Sequence, residues 1–245
     1  SGTATVGPNI YCDTDTTTVI DLYSLLTGED VTGGSWTRIG TQTDGTFAAA
    51  AGTFTPGNIT TASSTSTFRY TVTGTAPCAN ATTDVTITVN NAPNAGTATI
   101  APNVVCETDT TSINLANLIS GEDTGGTWTR LTGTGGTFVA SGTFTPAIGA
   151  TSSTFKYTVA GVAPCVADDE TVAITINAAP ISGTPTAGSN SYCDTDTTPI
   201  NLANLLTGED VTGGTWTRVN GTGGSFVAST GTFTPGNITT ASITS

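Results

Sequence analysis

Five cysteines and 18 carboxylates are the side chains of this 245-residue sequence that could do chemistry, because it contains no histidine. Without histidine, the commonest general acid/base and the commonest transition-metal ligand are both missing, which leaves only oxygen chemistry for catalysis or metal binding. Three cysteines, Cys12, Cys106 and Cys193, each open a Cys-(Asp/Glu)-Thr-Asp-Thr-Thr block. The carboxylates fall into two recurring clusters. The first holds Asp13 and Asp15, Glu107 and Asp109, or Asp194 and Asp196, and the second holds Glu29 and Asp30, Glu122 and Asp123, or Glu209 and Asp210. If the fold brings the two clusters together, four carboxylates could hold a hard cation such as Ca²⁺. The alternative is structural: Asp15 and its equivalents would close Asx-turns, and Glu29-Asp30 would be a solvated turn pairing with Arg38. The EF-hand pattern fails, because its glycine at position six and glutamate at position twelve are absent.

Paired carboxylates also raise a glycosidase acid/base pair. The same acids recur in every copy, however, whereas a catalytic cleft is built once, and no long loops exist to form one. The expectation is a protein that is not an enzyme and has no cofactor beyond a Ca²⁺ ion. Trp36, Trp128 and Trp216, one per copy, read as core residues ahead of sugar-stacking platforms. The remaining cysteines, Cys78 and Cys165, lie downstream of Cys12 and Cys106. Pairing within each copy gives Cys12–Cys78 and Cys106–Cys165, with Cys193 left unpaired. Paired cysteines imply an oxidising, extracellular location. No Cys-x-x-Cys occurs, which argues against a zinc or redox motif.

The elements that must position these residues repeat with them. Ser1-Gly-Thr-Ala-Thr recurs from Ala95 and from Ser182. Gly-Gly-x-Trp-Thr-Arg ends at Arg38, Arg130 and Arg218, and Gly-Thr-Phe-Thr-Pro ends at Pro56, Pro146 and Pro235. The period is that of a whole small domain, longer than a solenoid repeat. The boundaries read as repeat 1 over 1–93, repeat 2 over 94–180 and repeat 3 over 181–245. Seven strands are expected per copy; in repeat 2 they are 97–100, 112–118, 127–131, 137–140, 142–145, 154–159 and 171–176. A single helical turn could fall in 114–118. Alternation in the last two strands and a tryptophan in the third point to an all-β fold of tandem immunoglobulin-like β-sandwiches. Short linkers with Pro93 and Pro180 predict an end-to-end rod. The third copy is expected to be incomplete, lacking its last two strands.

Only 9% of the chain is charged, with 5 Lys+Arg and a net charge of −13, while 59 threonines and 30 glycines supply the polar surface. So few basic residues argue against nucleic acid, and no apolar run is long enough for a membrane helix. Asn58, Asn80, Asn220 and Asn237 open N-glycosylation sequons, which arise easily by chance in so threonine-rich a chain.

Three motifs taken together resemble a known group: Cys-Asp-Thr-Asp-Thr-Thr-x-Ile-Asn-Leu-x-x-Leu-Leu-Thr-Gly-Glu-Asp, Gly-Gly-Thr-Trp and Phe-x-Tyr-Thr-Val-x-Gly-x-Ala-Pro-Cys. The group is the tandem Ig-like repeats of large secreted Bacteroidetes surface adhesins of the gliding-motility type. The resemblance implies type IX secretion, a place at the cell surface and a role in adhesion or filament building. It also implies O-glycans on Thr16, Thr110 and Thr197. The partners expected are further copies of the same repeat, in one longer chain or in neighbouring filament subunits. The second reading is a surface-binding module that meets glycans or an ice-like surface through exposed Thr-x-Thr strands.

Overall fold

The computed structural model describes residues 2–5, 9–28, 33–99, 103–186, 190–210 and 214–236. They divide into two compact units, Ser1–Asn177 and Ala178–Ser245. In repeat 1 the strands are β1 (Thr3–Ala4), β2 (Ile10–Cys12), β3 (Ile20–Asp21), β4 (Leu26–Thr27), β5 (Gly34–Ile39), β6 (Gly45–Ala48), β7 (Thr53–Pro56), β8 (Ser63–Val72) and β9 (Ala81–Asn90). Repeat 2 contributes β10 (Thr97–Ala98), β11 (Val104–Cys106), β12 (Ile113–Asn114), β13 (Ile119–Ser120), β14 (Thr127–Thr132), β15 (Thr137–Val139), β16 (Thr143–Thr145), β17 (Ser153–Val159) and β18 (Asp168–Asn177). The second unit holds β19 (Ser182–Pro185), β20 (Ile200–Asn201), β21 (Leu206–Glu209), β22 (Ser225–Val227) and β23 (Thr232–Thr234). Helical structure among the described residues is confined to three single 3-10 turns, Leu22–Leu25, Leu115–Leu118 and Leu202–Leu205. Each is capped by the side chain of the residue before it, Asp21, Asn114 or Asn201, which accepts the N–H two residues on.

Repeats 1 and 2 are β-sandwiches of one design. A four-stranded sheet in the order β2-β9-β8-β5 packs on a three-stranded sheet, β3-β7-β6, and the order β11-β18-β17-β14 with β12-β16-β15 repeats this in the second copy. The sequence makes the sandwich by strict alternation. In β8, Ser66, Phe68 and Tyr70 turn inward, and in β9 Val85, Ile87 and Val89 do so, while threonines take the outer faces. β-branched threonine suits an exposed strand face, where its stiff side chain packs on the pleat. Trp36 and Trp128 are only 2% and 5% exposed and belong to their cores.

The recurring arginine is half-buried and lies against core rings. Arg38 stacks over Phe54 and Phe68, Arg130 over Phe144 and Phe155, and Arg218 over Phe233, all within 6 Å of the ring centroids. This links two motifs that are distant in sequence, Trp-Thr-Arg and Gly-Thr-Phe. The glycine of the second motif is required by the tryptophan of the first. Gly52, Gly142 and Gly231 all have positive φ, and a Cβ on Gly142 or Gly231 would lie within 2.6 Å of the Trp128 or Trp216 ring.

Two expectations about the elements change. The sequence reading omitted β2 and β11, three-residue strands that pair parallel to the last strand of their own repeat. The strand expected over 112–118 is two residues of strand followed by the 3-10 turn.

Candidate functional site: the joint between repeats 1 and 2

The cysteines settle where the site lies. Cys12 is bonded to Cys165, with Cα atoms 5.1 Å apart, and Cys78, Cys106 and Cys193 are free thiols. The within-repeat pairs Cys12–Cys78 and Cys106–Cys165 are therefore both incorrect. The reason is the direction of the omitted strands. Cys12 ends β2 opposite Asn90, the last residue of β9, whereas Cys78 lies just before Ala81, the first. Ten extended residues put roughly 30 Å between those poles, and a disulfide needs Cα atoms within about 7 Å. The same separation across β18 divides Cys106 from Cys165. Each repeat thus carries one cysteine at the pole where the chain leaves and another at the pole where it arrives. The disulfide joins the outgoing pole of repeat 1 to the incoming pole of repeat 2.

Polar groups around this disulfide fasten the same two poles. The side-chain amide of Asn90 donates to Ala163 O (3.0 Å), in the turn that carries Cys165. Asp13, only 5% exposed, receives the Ala92 N–H at 2.9 Å and the Ile59 N–H at 3.4 Å. With its amide oriented by these acceptors, Asn91 donates to Asp13 Oδ2 (2.9 Å) and Ile59 O (3.2 Å). A buried carboxylate satisfied by N–H donors fixes the path of the departing chain, because moving it would strand the charge without partners.

On the incoming pole of repeat 2, Asn94 and Asp123 exchange backbone and side-chain bonds. Asp123 N donates to Asn94 O (2.8 Å), and Asn94 N donates to Asp123 Oδ2 (2.9 Å). Asp168 accepts the N–H of the fully buried Ala95 at 2.8 Å. The linker is clamped at both ends. In the second unit the same clamp recurs, with Asp210 receiving Ile181 N (2.7 Å) and returning its own N–H to Ile181 O (2.9 Å).

Several of the recurring carboxylates accept backbone N–H groups close by. Asp15 folds back on Cys12 N (3.0 Å), Asp109 on Thr111 N (2.8 Å) and Asp196 on Thr198 N (3.0 Å). Glu107 accepts Gly149 N at 2.8 Å. The hydrogen bonds from Thr111 hold the Asp109 carboxyl below its ordinary pKa. Among the described residues no three Asp, Glu or Cys side chains come close enough to share an ion. The pair Glu29 and Asp30 lies outside the described residues, as does the sequon at Asn237. Asp194, Glu122 and Glu209 belong to no such group. Arg38 pairs with Asp44. Thr16, Thr110 and Thr197, the expected glycan acceptors, are exposed on their turns.

Sequence reasoning missed Asn90, Asn94 and Asp168, the residues that make the joint polar. A signal was present: an asparagine recurs at the end of each last strand, Asn90 and Asn177, just before each proline linker.

No protein-family model and no curated protein matches the chain. Among solved structures it is similar to human protocadherin-24 EC1-2, at 10% identity over 69% of this chain and 92% of that one, with a TM-score of 0.35. Mouse protocadherin-24 EC1-3 matches at 10% identity over 72% and 63%, with a TM-score of 0.36. A protocadherin gammaB7 EC3-6 cis-dimer matches at 11% over 84% and 59%, with a TM-score of 0.29. Scores this low carry no argument beyond themselves, and the tandem β-sandwich fold rests on the strands and registers above.

Proposed function

We propose that this chain is a structural and adhesive extracellular repeat segment, part of a cell-surface adhesin stalk or an extracellular filament, and that it is not an enzyme. The observation that carries this reading is the joint. Two sandwiches are held by a disulfide between their poles and by carboxylates that grip the linker backbone, an investment in keeping successive repeats attached. A disulfide of this kind persists in an oxidising, extracytoplasmic setting. The exposed threonine faces, with Thr16, Thr110 and Thr197 on turns, suit a glycosylated surface.

Single-molecule stretching of the oxidised chain tests the load-carrying role. The bond between Cys12 and Cys165 spans 153 residues, so roughly 500 Å of extension should stay locked until a reductant is added. Equal extension with and without reductant overturns the reading. A glycan array and an ice-affinity assay test the surface-binding alternative, and specific capture in either would replace the scaffold reading.

A further inference from the structure

Repeats 1 and 2 each possess both halves of the joint, yet only one half of each is used. The outgoing half of repeat 1 consists of Cys12 opposite Asn90 in a parallel pair, with Asp13 N donating to Asn90 O (2.9 Å) and Asp15 N to Cys12 O (3.0 Å). Repeat 2 rebuilds this in the same register: Cys106 lies opposite Asn177, Glu107 N donates to Asn177 O (2.9 Å) and Asp109 N to Cys106 O (3.0 Å). Cys106 is a free, half-buried thiol, and Asn177 is exposed. The incoming half of repeat 2 is the Ala-Pro-Cys turn in which Cys165 N donates to Val162 O (3.0 Å). Repeat 1 has the same turn, with Cys78 N donating to Thr75 O (2.9 Å), and there the thiol is free and exposed.

We propose that Cys106 and Cys78 are the open halves of one repeating joint, and that a second copy of this chain completes it by bonding its Cys78 turn to the outgoing pole that carries Cys106. The partner is chosen by chemistry on the page. Where the two kinds of half meet, at Cys12 and Cys165, they bond, and the asparagine beside the cysteine hydrogen-bonds the turn. Two outgoing poles have no turn to offer each other, and two turns have no asparagine-terminated strand. The Ala-Pro-Cys turn with a free thiol in this chain is that of Cys78, on the incoming pole of repeat 1, and a second copy is the partner that offers that turn to Cys106.

The bond forms by thiol–disulfide exchange with a small-molecule disulfide such as oxidised glutathione. The Cys106 thiolate attacks one glutathione sulfur and releases one glutathione thiolate. The Cys78 thiolate of the second copy then attacks the Cys106 sulfur and releases the other. Two protein thiols are oxidised and one disulfide is reduced to two thiols, with the two protons passing to solvent or to the leaving thiolates. The Thr108 hydroxyl, 3.1 Å from the Cys106 sulfur, hydrogen-bonds it and lowers its pKa, favouring the attacking form.

The inference deepens the scaffold reading but has its own test, because stretching and glycan binding do not report which cysteines join separate copies. The full chain is incubated at high concentration with oxidised glutathione, and the covalent species are mapped by mass spectrometry without reduction. Every monomer should contain Cys12–Cys165. Every inter-chain bond should pair Cys78 with Cys106, or with Cys193 at the corresponding position, and Cys78→Ser should abolish covalent oligomers while the monomer keeps its fold. Cys106→Ser should remove the Cys78–Cys106 species alone. Comparable amounts of Cys78–Cys78 or Cys106–Cys106, an intramolecular Cys12–Cys78 bond, or only glutathione adducts on monomers would overturn the proposal.

Discussion

Repeats 1 and 2 share strand order, motifs and core aromatics, yet they anchor the same arginine differently. In repeat 1, Arg38 bonds Asp44 and also donates to Ser66 Oγ (2.6 Å), while Ser66 donates to Asp44 (2.9 Å). Asp44 is 1% exposed. In repeat 2 a loop one residue shorter puts Gly135 in that place, and Arg130 donates to the Gly135 carbonyl (2.7 Å) and to Ser153 Oγ (2.6 Å). Half-buried against core rings, Arg130 is satisfied by neutral acceptors where Arg38 has a carboxylate. The carboxylate of repeat 1 makes that repeat depend on an ion pair which its neighbour does without.

The joint gives the largest expected difference between regions. Reduction, or Cys165→Ser, should destabilise the unit formed by repeats 1 and 2 by up to about 5 kcal/mol, since the crosslink closes a long loop in the unfolded chain. Repeat 3, with no disulfide among its described residues, should melt unchanged, and calorimetry with and without reductant separates the two. Next comes Asp44→Ala, which leaves Arg38 with the Ser66 hydroxyl and a 3.4 Å contact to the Gly45 carbonyl as acceptors and should cost about 3 kcal/mol. Chemical denaturation will show whether repeat 1 alone responds. An unchanged midpoint would mean that repeat 1 tolerates the bare arginine as repeat 2 does. Gly142→Ala comes third: the left-handed backbone alone costs about 1–2 kcal/mol, and displacement of Trp128 should also quench or shift its fluorescence.

The smallest effect concerns acid. Hydrogen bonding from Thr158, helped by Lys156, holds Asp169 below its ordinary value of 3.8, and Arg69 does the same for Asp84 in repeat 1. A depressed carboxylate stabilises the fold above the unfolded pKa and loses that contribution as pH falls through the folded one. Both repeats should therefore weaken only below about pH 4, and Asp169→Asn should flatten that acid limb in repeat 2 alone, with little change at neutral pH.

Much of this architecture was legible in residue spacing. The tandem copies, the inward alternation of Phe155, Tyr157 and Val159, and the buried tryptophans all follow from patterns that a strand must obey. The parallel strands were not legible, because Val104–Cys106 is too short to show alternation and nothing local says which neighbour it joins. That one omission misdirected the disulfides: spacing within a period pairs Cys12 with Cys78, and only the direction of β2 along β9 places them at opposite poles. Asp44 escaped for a similar reason, since its carboxylate reaches Arg38 across a six-residue loop whose length differs between copies. For Asp13 and Asp123, spacing alone could not distinguish an ion ligand from a grip on the linker backbone.

The bond between Cys12 and Cys165 runs alongside the peptide path from Asn90 to Ala95 rather than in series with it. A protease that cuts the linker, or any exposed loop between residues 12 and 165, nicks the chain without releasing either fragment. Attachment at this point survives backbone cleavage and fails only when a cut and a reduction coincide, so damage would have to strike twice to part the two repeats.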